Sequence, residues 1–408
     1  MSPAERSETH GSTRSQRQRL RETLTGIVDG TDRSDAAVER VLDLVERIDD
    51  IGFAAELRFV ADRYREGRLS EPDLVLMTEQ VLGELRAERR PEPRWRLAVP
   101  ADARGLDRRW TDAAGRERAL ELATRLRSRE PLEPVAFGEH EGRLDLRGFV
   151  SPMPDLELLD TAKNLVLDGV DLSGARLGRI AFTQARISRS RFEGIRWSGG
   201  GLWSTTVEDA SLRGSDLSEG TLGGRSGPPN AFRQVDFRGA DLSGQHIGGV
   251  LFEDCDFSDA RLNGTEFHAD LIRCRFAGHL HGTAFYGRRK FDIRSKRLED
   301  VDFTRADLHW AMFRGLDLAG VRLPETPGHI IVRNLPCVLD RLGRLEKEGR
   351  LPPELAFEVG GLREWRGRNQ RVAVISVNDM AEHASKDELA TALAILDDAQ
   401  RACGPAAP

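Results

Sequence analysis

Every fifth residue from Leu167 to Phe267 is large and apolar in twenty cases of twenty-one: Leu167, Leu172, Leu177, Phe182, Ile187, Phe192, Trp197 and onward to Phe257, Leu262 and Phe267, with Gly227 the one exception. The chain is only 39% hydrophobic, so chance would fill about eight of those positions. An α-helix repeats every 3.6 residues and a strand every 2.0, and neither produces a period of five. A chain with such a period is a repeat architecture, in which each unit buries its face only against its neighbours.

Within that period a local motif recurs: a small residue, Asp, Leu or Phe, then two variable positions. Ala240-Asp241-Leu242-Ser243-Gly244 and Ala306-Asp307-Leu308 carry it outright, and Val170-Asp171-Leu172-Ser173-Gly174, Ser215-Asp216-Leu217-Ser218 and Val235-Asp236-Phe237 are close variants. Over about residues 165–323 the sequence resembles the pentapeptide repeat family. The resemblance implies a mainly β solenoid with α flanks, a right-handed quadrilateral β-helix in which each pentapeptide forms one side and four complete a coil. In such a tube the large residue fills the interior, and the residue two before it also points inward and must be small. Ala175, Ala185, Ala210, Ala240, Cys255 and Ala260 meet that demand. Stacked coils pair as a parallel sheet about 4.8 Å apart.

Gly223 to Pro229 interrupts the tract, yet Phe232 returns in phase, as expected of a surface loop. A real slip follows Phe267, and the period resumes as Leu298, Phe303, Leu308, Phe313, Leu318 and Leu323. Two alignments bridge the gap. One turns Leu271, Phe276, His281, Tyr286 and Phe291 inward, which gives 32 pentapeptides, about eight coils, and stacks Cys274 one coil above Cys255. The other turns Leu271, Phe276, Leu280 and Phe285 inward and leaves His279 and His281 outside. The second is preferred because it buries no imidazole.

The flanks read differently. Residues 1–22 are polar, Arg-rich and aperiodic, as in a disordered tail. Residues 23–142 are expected to be a helical N-terminal domain, since Val38, Val41, Leu42, Val45 and Ile48 follow helical spacing and a further helix is predicted over 111–128 with Thr111 as its N-cap. The β-helix is placed at 143–323, its wall beginning at the alternating segment 143–149. Residues 324–408 read as a small α/β domain: strand 330–332, helix 336–348, strand 372–377 and helix 386–402, with a strand offered to the last coil.

The opening twenty residues hold no apolar core of a secretory signal, and no apolar run approaches the roughly 18 residues of a membrane helix. A cytoplasmic protein with no membrane partner is expected, its four scattered cysteines reduced. The 61 basic and 67 acidic residues give a net charge of −6, and nothing global points to direct nucleic-acid binding.

Chemistry is sparse. His268, Cys274, His279 and His281 are the residue types of a zinc or iron site, with the acidic run Glu253, Asp254, Asp256 and Asp259 one coil below. No ligand spacing is present, and Cys274 falls where the repeat itself wants a small residue, so the expected cofactor is none and the metal-dependent enzyme is an alternative. His309 and His329 lack the spaced partners of a catalytic triad, and no phosphate-binding loop follows a strand. The basic group Arg288, Arg289, Lys290, Arg294, Lys296 and Arg297 sits in the irregular coil and is the expected partner contact. Trp203 and Trp310 lie just off the inward positions, placed to pack against flanking segments.

The resemblance also implies an alternative function, because the best-known activity of the family is protection of DNA gyrase from its inhibitors by a rod-shaped acidic dimer that imitates duplex DNA. Residues 161–323 carry 23 basic and 21 acidic side chains, which is not an acidic rod. The function expected is therefore a non-catalytic protein- or peptide-binding scaffold, with topoisomerase protection as the alternative.

Overall fold

In the computed structural model the described residues are 95–152, 162–197, 199–223, 228–287, 297–316, 318–365, 370–382 and 384–404, together with helical positions Thr23, Ala36, Arg40 and Val41. The expected tail, nearly all of 23–94 and five of the six basic residues at 288–297 lie outside them. The chain divides into two compact units, 1–94 and 95–408.

The second unit is built on a four-sided tube. Its inward residues form four stacks, one per side, and each side is named here by an early member. Leu167, Ile187, Val207, Phe232, Phe252, Leu271 and Leu298 follow one another up the first side, paired parallel from coil to coil. The Leu172 side continues through Phe192, Leu212, Phe237, Phe257, Phe276 and Phe303, beside bridges from Asp171 to Arg191, Ser211 and onward to Arg322. The Leu177 side runs to Leu280 and Leu308, and the Phe182 side to Phe267, Phe285 and Phe313. The rings stack at the spacing of the strands: Phe237 on Phe257 at 4.9 Å, Phe257 on Phe276 at 4.8 Å, and Phe267 on Phe285 at 5.1 Å.

The corners follow from backbone conformation. Two residues after an inward side chain the backbone repeatedly enters the left-handed region, at Gly174, Gln184, Gly194, Ser204, Asp209, Gly239, Asp254 and Asp259 among others. The position two before the inward residue is buried and often small, Ala, Cys, Ser or Thr, but Val170, Ile195 and Val235 also occupy it. Hydroxyls there donate to carbonyls of the coil below, as Ser215 does to Phe192 at 2.7 Å and Thr265 to Leu242 at 2.8 Å, while Ser190 donates to Ser188 of its own coil. Such bonds satisfy polar groups that burial would otherwise penalise.

Register explains both irregularities. Val207 pairs with Phe232, a separation of twenty-five where twenty is usual, so the coil between them is five residues longer than its neighbours. Asn230 closes that site by donating to the carbonyls of Leu202 and Leu222 and accepting from Thr205 N–H. A bulge between Gly248 and Val250 then shortens the next coil by one. Leu280 and Phe285 point inward, 1% and 0% exposed, while His279 is exposed and His281 half-buried, which is the second alignment.

Below the tube the strand Arg143–Asp145 pairs with Val170–Asp171, beginning the wall as expected. Helix Ala113–Ser128 shares the tube's core through Ala119, Leu122 and Leu126, beneath Leu146 and Phe149. Its N-cap is Asp112, which accepts from Gly115 N–H, and not Thr111, which ends a separate short helix, Arg108–Thr111. Residues 95–107 form a strap along a row of corner glycines. Trp95 Nε1 donates to Gly239 O, Ala98 N donates to Gly214 O, and Val99 lies over Gly194 and Gly174.

At the other end, strands His329–Arg333 and Val372–Ser376 pair antiparallel with each other and add no strand to the tube. Helices Leu335–Lys347, Pro353–Trp365 and Lys386–Cys403 pack against them around Leu339, Leu342, Leu355, Val359 and Leu396. The middle helix was not expected, because Gly360-Gly361 lies inside it. Cys337 and Cys403 form a disulfide, which corrects the expectation of four reduced thiols: sixty-six residues apart in sequence, they meet where the first and last of these helices pack. Among the described residues no helix is long and apolar enough to cross a membrane.

Candidate functional site

Three sides of the tube carry charges that are paired from coil to coil. Arg191 reaches Asp171 at 3.3 Å, Arg261 reaches Asp241 at 3.1 Å, and Arg322 reaches Asp302 at 3.2 Å, all across twenty residues. Arg233 bridges Glu208 and Glu253 at 2.9 and 3.2 Å, and Arg273 takes Glu253 and Asp254 at 2.6 and 2.8 Å. The Arg189 guanidinium pairs with Asp168 and holds its carboxyl at about 2. A strand presents alternate side chains outward, so opposite charges one coil apart stand side by side as cross-strand neighbours. The acidic run Glu253–Asp259 is part of this pairing: Asp256 lies 3.8 Å from Arg238.

The Phe182 side differs. Among its described strand residues only Lys163, Glu266 and Arg314 carry a full charge, and its half-buried outward residues include Thr183, Trp203, Thr221, Tyr286 and Met312. Trp203 lies across Gly201, where an added Cβ would meet its ring at 3.0 Å. Further up, His246 stands directly below Glu266, and His268 beside it is opposite Gly248. The Nδ1 of His246 is 2.6 Å from Glu266 Oε2, and the Nε2 of His268 is 3.4 Å from the same oxygen. The two imidazoles lie 4.6 Å apart, and His268 stacks on Tyr286 at 4.2 Å. Tyr286 OH is 3.5 Å from Glu266 Oε1, and the Arg314 guanidinium lies over the tyrosine ring. The hydrogen bond from His246, and then that from His268, holds the Glu266 carboxyl well below the usual range.

A second imidazole group occupies the Leu177 side at the junction with the C-terminal strands. His309 lies within 5.5 Å of His279 and 4.9 Å of His281, and His279 Nδ1 pairs with Asp307 at 2.9 Å. His309 is 2% exposed, its Nδ1 2.9 Å from Asp379 and its Nε2 3.1 Å from Glu382. The Nδ1 contact is an ion pair, not an aligned hydrogen bond. His329 Nε2 accepts from the backbone N–H of Leu308 at 2.9 Å.

The sequence-derived metal residues therefore separate. His268 joins His246 and Glu266 on one side, and His279 and His281 join His309 on the next. Cys274 is inside the tube, 3.5 Å from the carbonyls of Phe252 and Ile272 and next to Cys255. Of the basic group only Arg297 is described; it lies 3.4 Å from Glu299 and 3.9 Å from Asp270. His246, Glu266 and Tyr286 were missed as site residues. The usable signal was separation: His246 and Glu266 are twenty apart, the same interval that pairs Arg191 with Asp171. Trp310 does pack on the C-terminal segment, its Nε1 3.3 Å from Glu382.

The repeat tract is similar to known proteins. Residues 236–278 match the family model for pentapeptide repeats, in eight copies. Over 101 residues, 22% of this chain, the sequence is 36% identical to the pentapeptide repeat protein MfpA of Mycobacterium tuberculosis. The chain spans about half, 54%, of the length of that relative. Among solved structures, trypsin-treated QnrB1, a plasmid-mediated fluoroquinolone resistance protein, is 19% identical, with 40% of this chain and 85% of that one covered and a TM-score of 0.28. HetL from the cyanobacterium Nostoc, involved in heterocyst differentiation regulation, is 20% identical, with 40% and 82% covered and a TM-score of 0.19.

Proposed function

We propose, from the premise that the central tract of this chain is built of pentapeptide repeats, that the rod is a non-catalytic scaffold that binds a protein or peptide partner on its Phe182 side. The observation that carries this reading is the uneven distribution of charge. On the other three sides arginine and carboxylate neutralise each other between coils, whereas the Phe182 side offers aromatic, hydroxyl and thioether groups with few full charges. Protein interfaces favour that composition, with aromatics and Met enriched and Lys, Glu and Asp depleted at the centre. The basic group Arg288, Arg289, Lys290, Arg294, Lys296 and Arg297 is proposed as an adjoining contact. It follows Tyr286 and Gly287 of that side directly in sequence.

Protection of a topoisomerase is the second reading, favoured by the repeats shared with MfpA. Imitation of duplex DNA calls for uncompensated negative charge, because the mimicked ligand carries one charge per about 1.7 Å. The coil-to-coil pairing of Arg233, Arg261, Arg273 and Arg322 works against it.

Capture of partners from the native cell extract tests both readings. The expected result is a protein or peptide retained by the full chain, lost on Trp203→Ala with Met312→Glu, and kept on charge reversal at Arg213 on the Leu172 side. Retention that ignores the first pair and falls with the second would overturn the placement. Enrichment of gyrase, with protection of its supercoiling activity from a fluoroquinolone, would establish the second reading.

A further inference from the structure

We infer that His246, Glu266 and His268 form a binding site for a divalent transition-metal ion, zinc by its donor set, on the outer wall of the tube. Their ligand atoms all lie within 4.8 Å of one another. Tetrahedral zinc with bonds of about 2.0–2.1 Å sets its ligands about 3.3 Å apart. The two contacts to Glu266 Oε2, 2.6 and 3.4 Å, bracket that value, so small rotations of side chains on a fixed wall would bring all three donors onto one ion.

The wall supplies the placement. Glu266 and His268 are two residues apart on one strand, hence on the same side of it, and parallel pairing sets His246 directly below Glu266. Gly248, opposite His268, keeps the space between the imidazoles clear: even a Cβ there would touch His246 only at 3.8 Å. Ligands on stacked strands are held more firmly than ligands on a loop. Orientation is set by the neighbours. Tyr286 stacks on His268 and meets the far oxygen of Glu266, the type of outer contact that fixes a ligating carboxylate.

Two imidazoles and one carboxylate are a donor set of borderline ions such as zinc, not of calcium or magnesium, which favour oxygen. With His246 and Glu266 each 36% exposed and His268 at 8%, three protein ligands leave a fourth position facing solvent, open to water or to a donor from another molecule. Binding uses the lone pairs of both imidazoles, so any proton shared with Glu266 is released, and affinity falls with acidity.

The test titrates the chelator-stripped full chain with zinc chloride in a calorimeter, and with cobalt as an optical probe of tetrahedral geometry. One equivalent is expected, together with visible cobalt absorption. His246→Ala should weaken binding at least about 100-fold and Glu266→Gln at least about tenfold, on the scale at which even outer-shell changes cost 10–100-fold. His279→Ala with His281→Ala should leave it unchanged. His246 is at the surface, so its variant is expected to fold, and circular dichroism checks this. Absence of binding at millimolar zinc, binding that survives His246→Ala, or binding lost only with the His279 pair would each overturn the assignment.

Discussion

The backbone N–H of Trp310 donates to Oδ2 of Asp379 at 2.9 Å, so a corner of the tube is closed by a side chain from the C-terminal segment. Trp310 is an aromatic residue in the left-handed region, φ 52°, where bulky residues are costly. Asp379 holds that corner while its Oδ1 accepts from Ser376 Oγ at 2.8 Å and pairs with His309.

Removal of the carboxylate should therefore undock the C-terminal segment. Asp379→Ala leaves the Trp310 N–H and the Nδ1 of buried His309 without their partner, with only Glu382 remaining on Nε2, and breaking a buried pair from one side costs up to about 3–5 kcal/mol. Urea unfolding should show a loss of that order, and limited proteolysis should cut near 324–328 in the variant. Equal stability and equal protection would mean that the apolar contacts alone hold the junction.

The junction also gives stability a pH dependence of two signs. Burial, the largest single effect on His309, lowers its pKa, but Asp379, Glu382 and Asp307 together outweigh it and raise the folded pKa above the unfolded one. Its contribution is complete below the unfolded value, about 6.5, and is lost as pH rises through the folded value. Burial drives His329 down, so it works the other way: its contribution is present above about 6.5 and declines as pH falls below that value. Stability measured from pH 5 to 9 should fall as pH rises above about 6.5, and His309→Gln should remove that fall while keeping the acid one. A wild-type curve flat above pH 6.5 would contradict the His309 half.

Much of the tube was legible in the sequence because a square cross-section admits one large side chain per five residues, and that rule survives even the slip: Leu280 and Phe285 were recoverable from the cost of burying His279 and His281. What was not legible depends on meetings across unrelated lengths of chain. The strap at 95–107 has no period, and Gly174, Gly194 and Gly214 look like ordinary corners until Val99 and Ala98 are laid over them. The site was half visible: His268 was singled out, but local ligand spacing is the wrong ruler where the second ligand lies one coil, twenty residues, away.

The strap makes a comparison of two glycines informative. Gly264 and Gly214 both have positive φ, 66° and 59°, so alanine at either bears left-handed strain of about 1–2 kcal/mol. An added Cβ at Gly264 meets nothing within 4 Å, whereas at Gly214 it falls 2.4 Å from the Cβ of Ala98. Gly214→Ala should cost at least about 1 kcal/mol more than Gly264→Ala, on the scale of overpacking, and should expose 95–107 to protease. Equal costs would show that the strap yields freely.

The cysteines should divide into two chemical pairs. Burial, reinforced by the neighbouring Cys274, pushes the Cys255 thiol well above its usual range, so it holds little thiolate at neutral pH. Cys337 and Cys403 are joined and carry no thiol. Native protein treated with iodoacetamide should therefore stay unmodified at Cys255, Cys337 and Cys403, and denaturation without reductant should free Cys255 and Cys274 alone. After reduction and denaturation all four should label, giving two additional adducts in the intact mass. Closing sixty-six residues of chain is worth about 4 kcal/mol in the loop-entropy account, so Cys403→Ser should lower the stability of the C-terminal segment by that order while the tube retains its own melting transition. Four adducts without reductant would show that the pair is a reduced contact, and the C-terminal core of Leu339, Leu342, Val359 and Leu396 would then have to hold the last helix unaided.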